Sequence, residues 1–265
     1  MINHQPHPTA LTTHKKYSPM NTSYLQIKIL LILLFPVVAG CITTAPLYLQ
    51  NHFPMDPKSS EVLQAKLPPL RSERMPMGMA IVQPSESHDL KGESAETWPQ
   101  LAAKVKNNVE ATAPVFMDKV IFVKDLGSPD SLTVIKNFGR ESQIDTIMVV
   151  LASESKVSVP ARFDLLPEVS LLNGRQTDHH ATVELGLVDA NSGKLLLQVQ
   201  GHSFATLDEL DTPVNSNRYP RVRGSAMSTY IYPQEEQAME MLRAVALGEA
   251  LEQAVMKLQE RWPKA

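Results

Sequence analysis

A chain of 265 residues has room for one large domain or two small ones. Its 43% hydrophobic and 20% charged residues suit a globular protein with a core, and with seven Phe, six Tyr and two Trp that core is expected to be mostly aliphatic. A net charge of −3 argues against nucleic acid as the main partner, which usually needs a basic face, while a single cysteine excludes an internal disulfide.

The first informative stretch is LQIKILLILLFPVVAG, from Leu25 to Gly40. Its uninterrupted apolar part, Ile29 to Gly40, is short for a bilayer crossing, which takes about 20 residues, and right for the apolar region of a secretory signal. Lys15, Lys16 and Lys28 precede it, and residues 1–40 contain no carboxylate. The small residues Ala39 and Gly40 stand directly before Cys41, the sole cysteine. Val38-Ala39-Gly40-Cys41 looks like a bacterial lipobox, with valine where leucine is commoner. That resemblance implies diacylglycerol on the Cys41 thiol, cleavage between Gly40 and Cys41, and acylation of the new amine. Residues 1–40 then read as a lipoprotein signal peptide. The alternatives are a plain signal peptide or a short membrane anchor with an incidental cysteine. Met20 offers a second start with a leader of more ordinary length. Ile42 follows the cysteine where an inner-membrane retention signal often has Asp, so the expected location is the periplasmic face of the bacterial outer membrane. Cleavage removes three lysines and no acid, taking the net charge from −3 to −6. Anionic headgroups repel such a body, so the fatty chains have to hold it.

Residues 41–74 read as the lipidated cysteine and a Pro-rich tether, because Pro46, Pro54, Pro57, Pro68 and Pro69 break any regular helix. The apolar Leu47, Tyr48, Leu49 and Phe53 leave open whether part of it docks. Residues 75–265 are expected to form one periplasmic domain. It opens with a strand, Met77 to Gln83. A helix follows from Thr97-Trp98-Pro99, where Thr97 suits an N-cap and proline the first turn. Leu101, Val105 and Val109 give that helix an apolar face. Next come a strand from Lys119 to Lys124 and a helix from Pro129 with Leu132, Ile135 and Phe138 on one side and Gly139 at its end. The run Ile144 to Ser153 reads as a strand covered on both faces. This β-α-β-α-β order favours a parallel or mixed sheet with right-handed crossovers.

The second half changes character. Residues 162–172 suggest a strand interrupted by Pro167. His179 to Phe204 reads as a β-hairpin around Asn191-Ser192-Gly193. A three-residue loop there sets Ala190 opposite Lys194, Leu187 opposite Leu197, Leu185 opposite Val199, Thr182 opposite His202 and His180 opposite Phe204. Residues 207–234 read as a long loop, and a helix from about Gln234 to Arg261 closes the chain. The fold class expected is therefore α/β (α+β): a mixed sheet with a β-α-β-α-β start, a hairpin and a long C-terminal helix packed on it.

Two segments carry a family resemblance: VELGLVDANSGKLLLQVQGHSF in the hairpin and AMEMLRAVALGEALEQAVMKLQERW in the closing helix. With MGMAIVQ, IDTIMVVLAS and APLYLQNHFP they resemble the bacterial rhombotarget lipoproteins. The order of elements is similar, more broadly, to the TolB N-terminal domain and the envelope lipoproteins CsgG and LpoB. The resemblance implies assembly or scaffold work in the periplasm and no catalysis. Substrates of the rhomboid-type sorting proteases associated with that name carry a C-terminal Gly-Gly motif and an apolar segment. RWPKA has neither, so being such a substrate is not implied.

Candidate chemistry is sparse. His180 and His202 fall on one hairpin face as diagonal neighbours, with Glu184 further along it, and His179 points to the other face. Three such side chains could hold a metal or a small molecule; a solvated or helix-covered polar face explains them as well. No Gly-x-Ser-x-Gly elbow or Gly-rich phosphate loop occurs, and no cofactor is implied. Met75, Met77 and Met79 read as core, and Asp189 as a turn residue. The segment 213–232 has Arg218, Arg221 and Arg223 with Tyr219, Tyr230 and Tyr232 and no carboxylate. Arginine and tyrosine are common interface anchors, so this patch is the expected contact for an envelope protein partner, with a mobile loop of solvated arginines as the alternative.

Overall fold

The computed structural model describes residues 48–70, 72–83, 97–124, 126, 129–163, 172–211 and 218–264. The proposed signal peptide, Gly40 and Cys41 lie outside them.

Six strands form one sheet: β1 (Met75–Gln83), β2 (Val115–Lys124), β3 (Thr146–Phe163), β4 (Leu172–Asp189), β5 (Leu195–Leu210) and β6 (Arg221–Gly224). Their spatial order is β2-β1-β3-β4-β5-β6. The first three are parallel and the rest antiparallel, which makes the mixed sheet that the element order predicts. Helix α1 (Ser59–Lys66) precedes β1, α2 (Thr97–Thr112) joins β1 to β2, α3 (Pro129–Ser142) joins β2 to β3, and α4 (Ala238–Arg261) closes the chain. The β1-to-β2 and β2-to-β3 crossovers run in opposite directions across the sheet. Right-handed connections then require α2 and α3 to lie on opposite faces. They do. Trp98, Leu101, Val105 and Val109 of α2 share one core with Leu242, Leu251 and Leu258 of α4. Ile135 and Phe138 of α3 belong to a second core on the other face. Among the described residues no helix is long and apolar enough to cross a membrane.

Several boundaries move. The strand expected from Lys119 starts at Val115, and the one expected to stop at Ser153 continues to Phe163. Beyond Leu151, β3 has no β1 partner, so Pro160 sits on an edge, where its missing N–H is tolerated. Residues 164–171 of the expected Pro167 strand lie outside the described set. The 207–234 stretch is not all loop: β5 runs to Leu210, and Arg221–Gly224 pairs with it. Helix α3 passes through Gly139, where a Cβ would stand 2.4 Å from that of Ala190, so glycine there serves close packing on the hairpin turn. The helix ends at Gln143 instead, in the left-handed region at φ 57. The Ile144 N–H bonds back to the Gly139 carbonyl at 2.9 Å, as a Schellman-type ending requires.

The hairpin keeps the expected pairing from Leu187↔Leu197 through His180↔Phe204. Near the turn it slips by one residue, so Val188 faces Leu195, and the Asp189 N–H bonds to the Lys194 carbonyl. Ala190 therefore does not face Lys194. The loop holds four residues, and Gly193 takes the positive φ of 70.

The tether expected over 41–74 is not free where it is described. Leu49 and Phe53 bury in the second core. The chain then passes the hairpin turn, where the Pro54 carbonyl and Asp56 N–H bond to Leu195. It continues into α1, whose Leu63, with Leu67 just beyond, enters the first core. The Trp262 indole N–H donates to the Pro68 carbonyl at 2.9 Å. The apolar side chains between the prolines outweigh the prolines' resistance to regular structure, and the strap joins both faces around one end of the sheet.

Edge strand β2 is protected over its first half. The Met117 N–H donates to Glu110 Oε1 at 2.6 Å and the Met117 carbonyl accepts from Lys106 Nζ at 2.8 Å, both from α2. A register shift follows directly, opposite Met77/Gly78. Capped main-chain groups and a bulge are devices that stop further strands from adding.

Candidate functional site

Strands β3, β4 and β5 run on past the end of β1, and their far halves form a sheet extension. Side-chain alternation places His179, Ala181, Ala205 and Leu207 toward α4 and their neighbours on the opposite face. Near the hairpin turn that opposite face is covered by α3 and the strap. Further out it is open. Its rows read Ser153, Thr182, His202; then Ser155, His180, Phe204; then Val157, Asp178, Thr206, Arg223; then Val159, Gln176, Asp208, Arg221. Val157, Val159 and Phe204 are 55%, 45% and 44% exposed. The two candidate sites separated by sequence, the hairpin histidines and the Arg/Tyr segment, thus lie on one surface.

The Arg/Tyr segment is ordered by strand pairing and ring stacking. Arg221 Nε donates to Asp208 Oδ2 at 2.8 Å. Its guanidinium lies 4.7 Å from the Tyr219 ring centre and 4.4 Å from that of Tyr230. Tyr219 in turn packs on Phe163 at 5.4 Å. Arg223 lies 5.2 Å from the Tyr230 ring, and Tyr230 is 6.5 Å from Tyr232. The bridge between Val222 and Ile231 explains this arrangement, because it sets Arg223 beside Tyr230 and Arg221 beside Tyr232. Arg221 and Tyr219 are therefore partly inward members of the ladder. Arg218, Arg223 and Tyr232 are exposed, and Tyr230 is half-buried.

The histidine set is only partly assembled. His180 packs against Phe204 at 5.7 Å, and His202 Nδ1 bonds to the Thr182 hydroxyl at 2.9 Å. Glu184 shares their face but lies under the strap. Its Oε2 accepts from the Leu49 N–H at 2.8 Å and from Gln198 Nε2 at 2.9 Å. Among the described residues no group of three His, Cys, Asp or Glu is placed to hold a metal ion. Glu184 is instead a latch for the strap. Burial pushes its pKa above the ordinary 4.5, and the two hydrogen bonds lower it without cancelling that rise. Ionisation of Glu184 therefore costs stability as pH climbs from 4.5 through the raised value. Glu184→Gln keeps an acceptor for Leu49 and removes the charge. It should melt at a higher temperature than the parent at pH 8, with the gap closing at pH 4; a gap independent of pH would refute the buried-charge account.

The sequence reading missed a buried cluster on the other face. Glu154 of β3, His179 of β4 and Arg243 of α4 form a triad. His179 Nε2 bonds to Glu154 Oε2 at 2.8 Å, and Arg243 donates to both carboxylate oxygens at 2.7 Å. The Trp98 ring lies 5.9 Å from the guanidinium. Burial disfavours the Glu154 charge, but the hydrogen bonds and charge of Arg243 and His179 outweigh it and hold the carboxyl below its ordinary value. This cluster bolts the helix to the sheet. A second clamp is Glu249 of α4, whose Oε2 accepts from the Ser203 and Ser225 hydroxyls at 2.6 and 2.7 Å, fixing the end of β6. Asp189 binds the Asn191 N–H at 2.9 Å, an Asx turn, and pairs with Lys66 at 2.7 Å. Met77 and Met79 are core residues.

No family model matches this chain, and no curated protein matches it. Solved structures it is similar to include the PelC dodecamer from Paraburkholderia phytofirmans, at 8% identity over 71% of this chain and 94% of that one, TM-score 0.31. A minor lipoprotein from Acinetobacter baumannii is 13% identical over 72% and 95% of the two chains, TM-score 0.29. The lipoprotein GNA1162 from Neisseria meningitidis is 18% identical over 53% and 88%, TM-score 0.26. At such identities and scores, function has to be argued from this chain's own residues.

Proposed function

We propose that this chain is a lipid-anchored, non-enzymatic lipoprotein of the bacterial envelope, tied through Cys41 to the periplasmic face of the outer membrane, whose body binds a protein partner. The rhombotarget lipoproteins are the family proposed for it, on the hairpin and closing-helix segments quoted above. The observation that supports binding is the pre-arranged Arg/Tyr ladder on an open sheet face. Asp208, Tyr219 and Tyr230 hold Arg221, so Arg223 and Tyr232 are displayed on a surface that loses little freedom on contact. Arginine beside tyrosine suits a partner that offers carboxylates and apolar side chains. Three acidic side chains in and around this surface serve packing: Glu184 holds the strap, Glu154 on the opposite face holds α4, and Asp208 holds Arg221.

Crosslinking in intact cells tests this reading, with a photoreactive residue in place of Tyr232. Arg223→Glu reverses the exposed charge while leaving Arg221 on Asp208. It should cut the adduct at least tenfold with the melting temperature unchanged. An adduct unaffected by Arg223→Glu would remove the ladder from partner binding.

A further inference from the structure

We infer that the free half of the β2 edge is a pairing surface for a second copy of this chain, which adds its own β2 antiparallel across a two-fold axis and extends one sheet through both copies. Neither the Cys41 anchor nor the Arg/Tyr ladder enters into this pairing. The sheet order leaves two edges, β2 and β6. β6 is four residues long, and its Val222 exchanges both main-chain bonds with Ile231 at 2.8 Å. On β2 the Glu110 and Lys106 caps close Met117, and Ser131 Oγ donates to the Lys124 carbonyl at 3.1 Å. Between them, among the described residues, nothing in the fold takes up the outer main-chain groups of residues 118–123. The stretch open to a further strand thus runs from Asp118 to Lys124, with Ile121 at its middle.

This stretch is complementary to itself. Antiparallel pairing centred on Ile121 sets Asp118 opposite Lys124 of the second copy and Val120 opposite its Phe122. Such a ladder alternates bonded and non-bonded pairs, so either kind can sit on the axis. Asp118 and Lys124 are exposed and, among the described residues, neither is in an ion pair. Pairing gives each an opposite charge, and symmetry repeats the contact. Val120 and Phe122 are 37% and 45% exposed. They lie beside Met79 and Ile81 of β1, which belong to the first core, so both point to the α2 face. Directly opposite residues share a face, so Val120 and Phe122 of both copies meet in one apolar cluster that continues this core. Moving Lys124 one place along, opposite Lys119, would set like charges together and turn the two apolar rows to opposite faces.

A second copy fits this edge better than a foreign strand. A foreign strand would use the same main-chain groups, but would not require the stretch to match its own reverse in charge and apolar character. The Met117 caps also stay in place, because Met117 of the second copy falls beyond Lys124. Pairing of a patch with itself about a two-fold axis closes at two copies, and with β6 taken up by Ile231 no open edge of that length is left to run on as a fibre.

The test traps the register in intact cells with the full chain. Val120→Cys and Phe122→Cys are carried by separate, differently tagged copies, expressed singly and together. Under mild oxidation the mixed pair should give about fivefold more disulfide-linked dimer than either variant alone, because opposite residues lie within disulfide reach and like-numbered ones lie diagonally, about 7–8 Å apart. Equal yields from all three would mean random collision and would overturn the pairing, as would no dimer from chains that melt like the parent and react with maleimide. Peptide mapping should join positions 120 and 122; a disulfide to another protein would mean that a foreign strand takes the edge, and the second copy would fall. Mapping also sets aside links through Cys41, so a bare Cys41 thiol refutes the anchor alone. A second measurement needs no added cysteine. Native mass analysis of the detergent-solubilised chain should show a dimer that Asp118→Lys weakens and that Lys124→Asp, added to it, restores. A dimer indifferent to both changes, or a monomer throughout, would overturn the proposal.

Discussion

Glu154→Ala should lower the unfolding free energy by about 3–5 kcal/mol, the usual cost of breaking a buried ion pair from one side. The Glu154 and His179 side chains are 2% and 4% exposed, and that of Arg243 13%, so solvent cannot replace the lost partner. Arg243 would be left with its charge between β3 and α4. Glu154→Gln preserves size and one acceptor and should cost less. The native pair also predicts an acid limb. Because the folded carboxyl lies below its ordinary 4.5, its stabilisation is complete above that value and drains away as pH falls through the lowered one. Urea unfolding from pH 7 to pH 3 should show the parent losing stability below 4.5 and Glu154→Gln losing less. Parallel curves would mean that the triad contributes packing and little charge.

Gly201→Ala is the other substitution with a large expected effect. Gly201 lies on β5 beneath α4, and a Cβ there would stand 1.9 Å from the Ala250 carbonyl oxygen and 2.7 Å from the Ala254 nitrogen. Both atoms are backbone, so no rotamer change relieves the clash and the helix itself has to move. Overpacking of this kind costs about 1–3 kcal/mol, and the rigid obstacle places this case at the upper end. Gly248 of the same helix is the matched control, because its added Cβ meets nothing within 4 Å. Gly248→Ala should stabilise by about 0.8–1 kcal/mol through helix propensity alone. If the two alanines shifted the urea midpoint alike, close approach of α4 to β5 would not be what positions the helix.

The hairpin register could be read from sequence because alternation assigns each residue a face, and one even pairing sum keeps both apolar rows together from Leu187 to His180. The slip at Val188 could not, because it depends on how many residues the turn holds. The helices were legible from apolar spacing. The exception is α1, whose flanking Pro57, Pro68 and Pro69 masked a helix of eight residues. The Arg/Tyr residues were legible as a group, but not their sorting into inward and outward members, which the Val222 bridge to Ile231 decides. The Glu154 triad was hidden by distance, since Arg243 lies 89 residues along the chain and meets Glu154 only when α4 docks. One signal was available. The apolar run of β3 ends in Ser153-Glu154, and a strand continuing to Phe163 carries that glutamate onto the covered face.

The strap also determines where mechanical load enters the body. Under the anchor proposed at Cys41, tension on the strap is taken up at Leu49, whose N–H is held by Glu184 of β4 in the middle of the sheet, and not at an edge strand that could peel away. From there the strap distributes it through Phe53 to one core and through Leu63 to the other.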